Sequence, residues 1–304
     1  MEENEVKEKE QEYSIPPKAP EKKSHGRLFL NIRRVICYII LIAVTLISVM
    51  PFIILIINST RANADIAAGF SFMPGKSFMS NFKDAWEDKD GIIFISMRNS
   101  FIVSALFTLC SVYFSALTAY GIYAYDFKFK KAANAFILLI MMVPTQVTTL
   151  GFLDEIRAFN LIDSYIPLII PGIAAPATYF FMIQYMKSAL PMEIVEAARI
   201  DGGNEFYNFN KIVIPIIKPA MAVQGIFSFV NSWNNYFVPN LVIESESKWT
   251  LPKYIAFIRS ANFAKFDLGQ LYMSIALAIV PMIIVYLILS KFIIRGVALG
   301  GVKG

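Results

Sequence analysis

The chain has 304 residues, 56% of them hydrophobic, and a mean hydropathy of +0.54. A soluble globular domain carries about 45–50% apolar residues, so the composition excludes an ordinary water-soluble domain and points to lipid. The formal charge of +5, from 28 basic and 23 acidic residues, is modest and calls for no nucleic-acid partner.

Residues 1–30 form a cytoplasm-type tail of Glu, Lys and Pro with few apolar side chains, a composition that predicts disorder. The single histidine, His25, falls in this tail and reads as solvated. Downstream, six windows contain no Asp, Glu, Lys or Arg: residues 35–60, 99–125, 132–153, 164–186, 219–243 and 268–290. Each exceeds the roughly 20 residues a helix needs to cross the hydrocarbon core. In lipid only helices and closed barrels satisfy every backbone polar group, and barrel strands would alternate over about ten residues. The expectation is an all-α membrane protein with six transmembrane helices, in a domain spanning 31–294. The first apolar run is too long for a signal-peptide core and reads as a retained helix.

The connections are distinct from one another. Residues 61–98 form a predicted outer loop with a short helix at 80–86 and Asn81 near its start. The sequence DFKFKK joins the second and third helices, and DEIRAFNLID predicts one or two helical turns at the interface after the third. A long polar segment, 187–218, follows the fourth helix. The fifth carries a polar-aromatic cluster, NSWNNYFVP, at 231–239. Residues 244–267 separate it from the sixth, and the chain closes on the tail RGVALGGVKG, 295–304.

Lys and Arg placement sets the orientation. With the N-terminus inside, the inner segments hold eight, three, four and three basic residues, eighteen against ten outside. The positive-inside rule therefore predicts a multi-pass membrane protein with both termini cytoplasmic. Segment 187–218 is then cytoplasmic.

No charged residue lies inside any of the six windows. Ion-coupled carriers and pumps use intramembrane carboxylates or cations for their relays; an uncharged sodium site stays open. The chain has no HExxH, G-x-S-x-G, P-loop or clustered His and Cys, so an enzyme is not supported. Cys37 and Cys110 both fall in predicted membrane helices and form no metal-spacing motif. No energy source is visible, so uphill transport would need another subunit to supply it.

The segment EAARIDGGNEFYNFNKIVIP, 196–215, has its own local logic. Pro191 suits a helix start, Glu193 and Glu196 complement the dipole of the first turns, and Ala197 and Ala198 are strong helix formers. Gly202-Gly203 marks a stop. A second helix is expected from the cap Asn204 toward Pro215 and Pro219. The plain alternative is an interfacial amphipathic loop helix.

Glu196-Ala197-Ala198, then Gly202, Ile212, Ile214 and Pro215 match the spacing EAA-x3-G-x9-I-x-L-P, with Ile214 standing where Leu is usual. This resembles the signature loop of permease subunits of bacterial ABC importers. Trp233-Asn234-Asn235-Tyr236-Phe237 resembles the W-N-x-[FY] pattern of the sugar-importing class, and Arg295-Gly296 with Gly300-Gly301-Val302-Lys303-Gly304 is similar to its R-G…G-x-V-K-G tail. Together they resemble the second, six-helix permease of maltose-type importers, with the type I importer permease fold.

That resemblance implies the partners: a second homologous permease in a heterodimer, two cytoplasmic ATPase subunits, an extracellular sugar-binding protein and the surrounding membrane lipid. The chain would bind no cofactor itself, ATP and Mg residing on the ATPases. Glu196, Ala197, Ala198, Asp201, Gly202, Ile212 and Pro215 would form the ATPase-coupling surface, with the first helix of the loop as coupling helix. The tail would reach into the ATPase dimer, and loop 244–267 into the sugar cleft of the binding protein. Asn231, Trp233, Asn234, Asn235 and Tyr236 are candidates for the substrate path or, equally, for packing helix five against its neighbours. Pro144, Thr145 and Gln146 are weaker pore candidates. The competing readings are a permease of the same architecture for a non-sugar solute, an ion-coupled carrier, and a membrane anchor that recruits a cytoplasmic protein.

Overall fold

A computed structural model describes residues 25–260 and 267–300, with side chains described throughout except at 25–30, 89, 145, 146, 150 and 291–300. All regular structure among the described residues is helical.

Residues up to Ile53 make a unit of their own, occupied by most of helix α1 (His25–Ser59). Every side chain from Asn31 to Ile53 is exposed, and mean hydropathy reaches 3.0 over Asn31–Ser59. A helix that is apolar all round has a solvent other than water, and at this length that solvent is lipid. Cys37 lies here, free and exposed.

From Ile54 onward a second unit begins. Its principal helices are α2 (Phe78–Glu87), α3 (Ile92–Ala124), α4 (Lys130–Ile140), α5 (Thr145–Ala158), α6 (Pro176–Ala189), α7 (Met192–Ile200), α8 (Ile214–Trp233), α9 (Leu251–Ser260) and α10 (Leu268–Gly300). Helix α3 is the central post. It packs against α6, α8 and α9, while α8 also packs against α10. Its buried face is rich in small residues, among them Ser96, Ser100, Ser104, Ser111, Ser115, Ala116 and Ala119, which let neighbouring backbones come close where no hydrophobic force drives helices together. Ser111 Oγ stands 3.1 Å from both Thr178 Oγ1 of α6 and Ser228 Oγ of α8, so one hydroxyl ties three helices.

Two apolar cores lie at the two ends of this post. One gathers Ile93 and Val103 of α3 with Phe229 and Trp233 of α8, Tyr254 of α9 and Leu271 of α10. The other gathers Ala116, Tyr120 and Ile122 of α3 with Met182 and Met186 of α6, Val195 of α7, Phe209 and Val213 leading into α8, and Ile217 of α8.

Among the described residues, five helical segments are long and apolar enough to cross a membrane: Asn31–Ser59, Ile92–Ala124, Ile166–Ala189, Glu205–Trp233 and Leu268–Ser290. The third predicted window, 132–153, is not a continuous helix. Its residues divide between α4, of 11 residues, and α5, of 14, each shorter than the roughly 20 needed to cross alone. The break lies at Met141–Pro144. Pro144 has extended backbone, φ −60 and ψ 128; it offers no N–H to a preceding turn and pushes the residue before it out of helical geometry.

Other boundaries shift for local reasons. Helix α3 starts at Ile92, ahead of the charge-free window, because Arg98 rides exposed on its surface. The fifth helical path runs over Glu205–Trp233 and stops at Asn234-Asn235; beyond it Phe237–Val242 is a separate short helix. Helix α10 continues to Gly300, taking in the first six residues of the predicted tail 295–304. Gly301, Val302, Lys303 and Gly304 lie outside the described residues, as do residues 1–24 of the predicted disordered tail and 261–266 of the predicted outer loop. The predicted helix at 80–86 is α2, and Asn81 is not its cap. It is buried, donating Nδ2–H to Ser59 O at 2.8 Å and Arg61 O at 2.9 Å.

Candidate functional site

The polar segment 187–218 folds as a helix, a two-glycine turn and a second helix. Pro191 caps α7 with extended backbone, and Glu193 stands in its first turn. Val195 is fully buried and pins α7 to the core formed with Tyr120 and Phe209. The opposite face is open. Glu196 and Ala197 are exposed, Ala198 is half-buried, and Ile200 is 86% exposed, an unusual position for an aliphatic side chain outside lipid.

The turn closes with backbone bonds from Asp201 N to Ala197 O (3.0 Å), Gly202 N to Arg199 O (3.1 Å) and Gly203 N to Ala198 O (3.0 Å). Gly202 has φ +83, left-handed backbone that glycine adopts without the Cβ penalty. At Gly203 the restriction is space: a Cβ would lie 2.9 Å from Ala198 O and against Asn208 Oδ1. Asn204 then caps the second helix as expected, accepting from Tyr207 N at 2.8 Å.

That helix, Glu205–Asn208, passes through a π-turn at Phe209–Val213 into α8. Pro215 explains the wider turn. It has no N–H for the carbonyl of Lys211, and a regular α-turn would drive its ring into that carbonyl. Of the predicted coupling residues, Glu196, Ala197, Asp201 and Gly202 are exposed on or beside α7. Ile212 is half-buried and Pro215 exposed on the ascending helix, away from it.

Side chains that sequence reasoning passed over hold this loop. Arg199 Nε donates to Glu205 Oε1 at 2.6 Å, and its second arm reaches Glu205 Oε2 at 3.3 Å. Glu205 Oε2 also accepts from Tyr120 OH at 2.7 Å, and the Arg199 guanidinium lies 5.0 Å from the centre of the Tyr125 ring. The hydrogen bonds to Glu205 raise the Arg199 pKa further above its ordinary value, so the pair does not titrate near neutrality. Tyr123 OH donates to Leu190 O at 2.9 Å, and Tyr113 OH reaches Asn210 Oδ1 at 3.3 Å. One signal was present in the sequence: opposite charges, Arg199 and Glu205, flank the glycine turn.

The polar-aromatic cluster is divided by the fold. Trp233 is buried, 2% exposed, and stacked on Phe229 at 5.7 Å between ring centres. Asn235 is half-buried and its Oδ1 accepts from Val238 N in the first turn of the next short helix at 3.4 Å. Asn231, Asn234 and Tyr236 are exposed. Asn234 and Tyr236 line a cavity of about 730 Å³ between α8, α9 and α10, together with Arg259, Ser260 and Trp233. Asn231 is not part of this cavity's lining. Pro144 is exposed at the α4–α5 break; the side chains of Thr145 and Gln146 lie outside those described.

Residues 111–299, from the middle of α3 through α10, match the family described as the binding-protein-dependent transport system inner membrane component. The chain belongs to this family. As a permease subunit it is a transport protein and not an enzyme. The permease is 36% identical over 206 residues to the arabinooligosaccharides transport system permease protein of Bacillus subtilis (strain 168), covering 68% of this chain and 72% of that one. It is 31% identical over 263 residues to the melibiose/raffinose/stachyose import permease protein of the same organism, covering 84% and 91%. Among solved structures, it shares its fold with a chain of a bacterial ABC transporter involved in the import of the acidic polysaccharide alginate, with a TM-score of 0.74, 23% identity and coverage of 90% of this chain and 99% of that chain.

Proposed function

We propose that this permease forms half of the translocation pore of an ATP-driven, binding-protein-dependent importer of oligosaccharides. The observation that carries the coupling part of this reading is the build of loop 187–218. Helix α7 and the turn that follows it offer an exposed surface, Glu196, Ala197, Asp201 and Gly202, next to the bare Ile200 side chain, while Val195 and Arg199 fix it from behind. An exposed apolar knob beside small residues on a rigid mount suits insertion into a protein cleft.

In this reading the loop docks on a cytoplasmic ATPase, ATP and Mg are bound there, and this chain binds no cofactor. A second permease completes a heterodimer and an extracellular sugar-binding protein delivers the cargo. Both termini are cytoplasmic, in keeping with the eighteen-to-ten basic bias. Helices α4 and α5 together make the sixth crossing, broken at Pro144. The cargo assignment is supported by the relatives named for arabinooligosaccharides and for melibiose, raffinose and stachyose, and by Asn234, Tyr236 and Arg259 in the cavity lining, whose amide, phenol and guanidinium are groups that bond hydroxylated rings.

Co-purification of the ATPase subunits with an Ile200→Asp variant tests the reading. The expected result is loss of ATPase capture with an unchanged unfolding midpoint of the permease, since Ile200 contributes little to the fold. Capture at the wild-type level would contradict docking through α7.

A further inference from the structure

We infer that Arg199, Glu205 and Tyr120 form a joint that makes the coupling loop and helix α3 move as one body, so that they are positioning residues for energy transfer. The inference rests on the coupling reading above and adds to it the route by which movement of α7 reaches the membrane helices.

A coupling helix can move a bundle only if its attachment is stiffer than the motion it must drive. Helix α7 is nine residues long and ends in a glycine pair, which by itself is a soft link. The Arg199–Glu205 pair spans that link. Its two N–H···O bonds, from Nε and a terminal nitrogen, use the planar fork of arginine, which fixes orientation as well as distance. Glu205 is the first residue of the helical path that continues through α8 to Trp233, so the pair connects α7 directly to that path.

The third member carries the connection sideways. Tyr120 is buried in the last turns of α3, and its hydroxyl donates to the carboxylate oxygen of Glu205 that also faces Arg199. Its ring sits 5.5 Å from that of Phe209 in the π-turn. Two helices of the bundle, α3 and the path leading into α8, thus share one carboxylate with α7. The side chains remain partly open to water, 29% for Arg199 and 41% for Glu205. The contribution lies in geometry more than in static stability, since half-exposed pairs add little to folding.

The test uses the whole importer, this permease with its partner permease, ATPases and binding protein, reconstituted in lipid. Glu205→Gln keeps the shape and removes the charge, Arg199→Met keeps the stem and removes the fork, and Tyr120→Phe removes a single hydroxyl. The expected result is unchanged capture of the ATPases and unchanged ATP hydrolysis without cargo, with solute transported per ATP falling about tenfold in the two charge variants, within the range of ordinary coupling free energies. Tyr120→Phe is expected to fall about threefold. The double variant Arg199→Met with Glu205→Gln should be no worse than either alone, because both remove the same link.

Wild-type transport per ATP in all variants, or fully additive losses in the double variant, would overturn the joint. Loss of ATPase capture in the variants would also overturn it, showing a role in holding the docking surface instead. Failure of the wild-type chain to capture ATPases at all would remove the coupling reading, and is distinguishable because it precedes any variant.

Discussion

Asp163 and Lys248, distant in sequence, are joined twice: Lys248 Nζ donates to the Asp163 carbonyl oxygen at 2.6 Å and to its carboxylate Oδ2 at 2.9 Å. The same carboxylate accepts from Ser245 Oγ at 2.6 Å and from the backbone N–H groups of Glu244 and Ser245 at 3.0 Å each. One side chain therefore staples the loop after α5 to the segment that leads into α9. Asp163 has φ +58, left-handed backbone that Asp and Asn tolerate better than most residues.

Removing this acceptor leaves several donors short of partners. Asp163→Ala is expected to destabilise the protein by about 1–3 kcal/mol, and Asp163→Asn, which keeps both the backbone preference and an acceptor oxygen, by clearly less. Thermal unfolding in detergent checks the order. Equal losses would show that the staple carries no specific geometry.

The pH dependence of the staple has a defined sign. Burial pushes the Asp163 carboxyl up, but the hydrogen bonds from Ser245, then Lys248 and Glu244, outweigh it and hold the pKa well below its ordinary value of 3.8. A depressed folded pKa contributes stability that is complete above the unfolded value and is lost as pH falls below it. The Asp163 contribution should therefore be flat from pH 8 to about 5 and decline only below about 4. Unfolding midpoints of wild type and Asp163→Asn over pH 3–8 should converge in acid. A difference that already shrinks between pH 7 and 5 would contradict the assignment.

The two glycines of the turn make separable predictions. Nothing lies within 4 Å of a Cβ placed on Gly202, whose constraint is φ +83 alone. Gly202→Val should cost about 1–2 kcal/mol of local strain, leave the bundle assembled and abolish uptake by misdirecting α7. Gly203→Ala has relaxed backbone but no room, between Ala198 O and Asn208 Oδ1, and should disturb the loop even though alanine is the smallest change. Limited proteolysis of the loop together with uptake separates the two. A protected, fully active Gly203→Ala protein would show that the turn can open at little cost.

In the polar-aromatic cluster, burial separates the residue that stabilises the fold, Trp233, from those left exposed, Asn234 and Tyr236. Trp233→Ala removes a buried ring stacked on Phe229 and should destabilise by about 3 kcal/mol or more. Tyr236→Ala and Asn234→Ala, at exposed positions in the cavity lining, should leave the unfolding midpoint within about 0.5 kcal/mol of wild type while altering the affinity or selectivity of uptake. Unchanged uptake kinetics in both variants would move the cargo path away from this cavity.

How much was legible in the sequence depended on how local each signal was. Charge-free runs are a property of consecutive residues, and they located four of the crossings to within a few residues at one end or the other. The break at Pro144 was not foreseen, and 132–153 was read as one helix, because it falls within an uncharged run, where hydropathy is blind to a missing backbone donor. The glycine turn and the Asn204 cap were legible because capping is settled over four or five residues. Trp233 was ambiguous for the opposite reason: an indole next to three asparagines suits a sugar as well as a core, and only Phe229 and the facing helices decide between them. The Arg199–Glu205–Tyr120 joint was out of reach because Tyr120 lies 85 residues from Glu205 in the chain, and no local pattern reports such a meeting.

The central claim is that this chain moves solute on energy supplied by an ATPase acting through loop 187–218. Uptake of labelled oligosaccharides into proteoliposomes holding the complete complex measures it most directly. Accumulation that requires ATP and the binding protein, and that is lost in Gly202→Val, is the result predicted. Accumulation without ATP, driven by a proton or sodium gradient, would contradict the account.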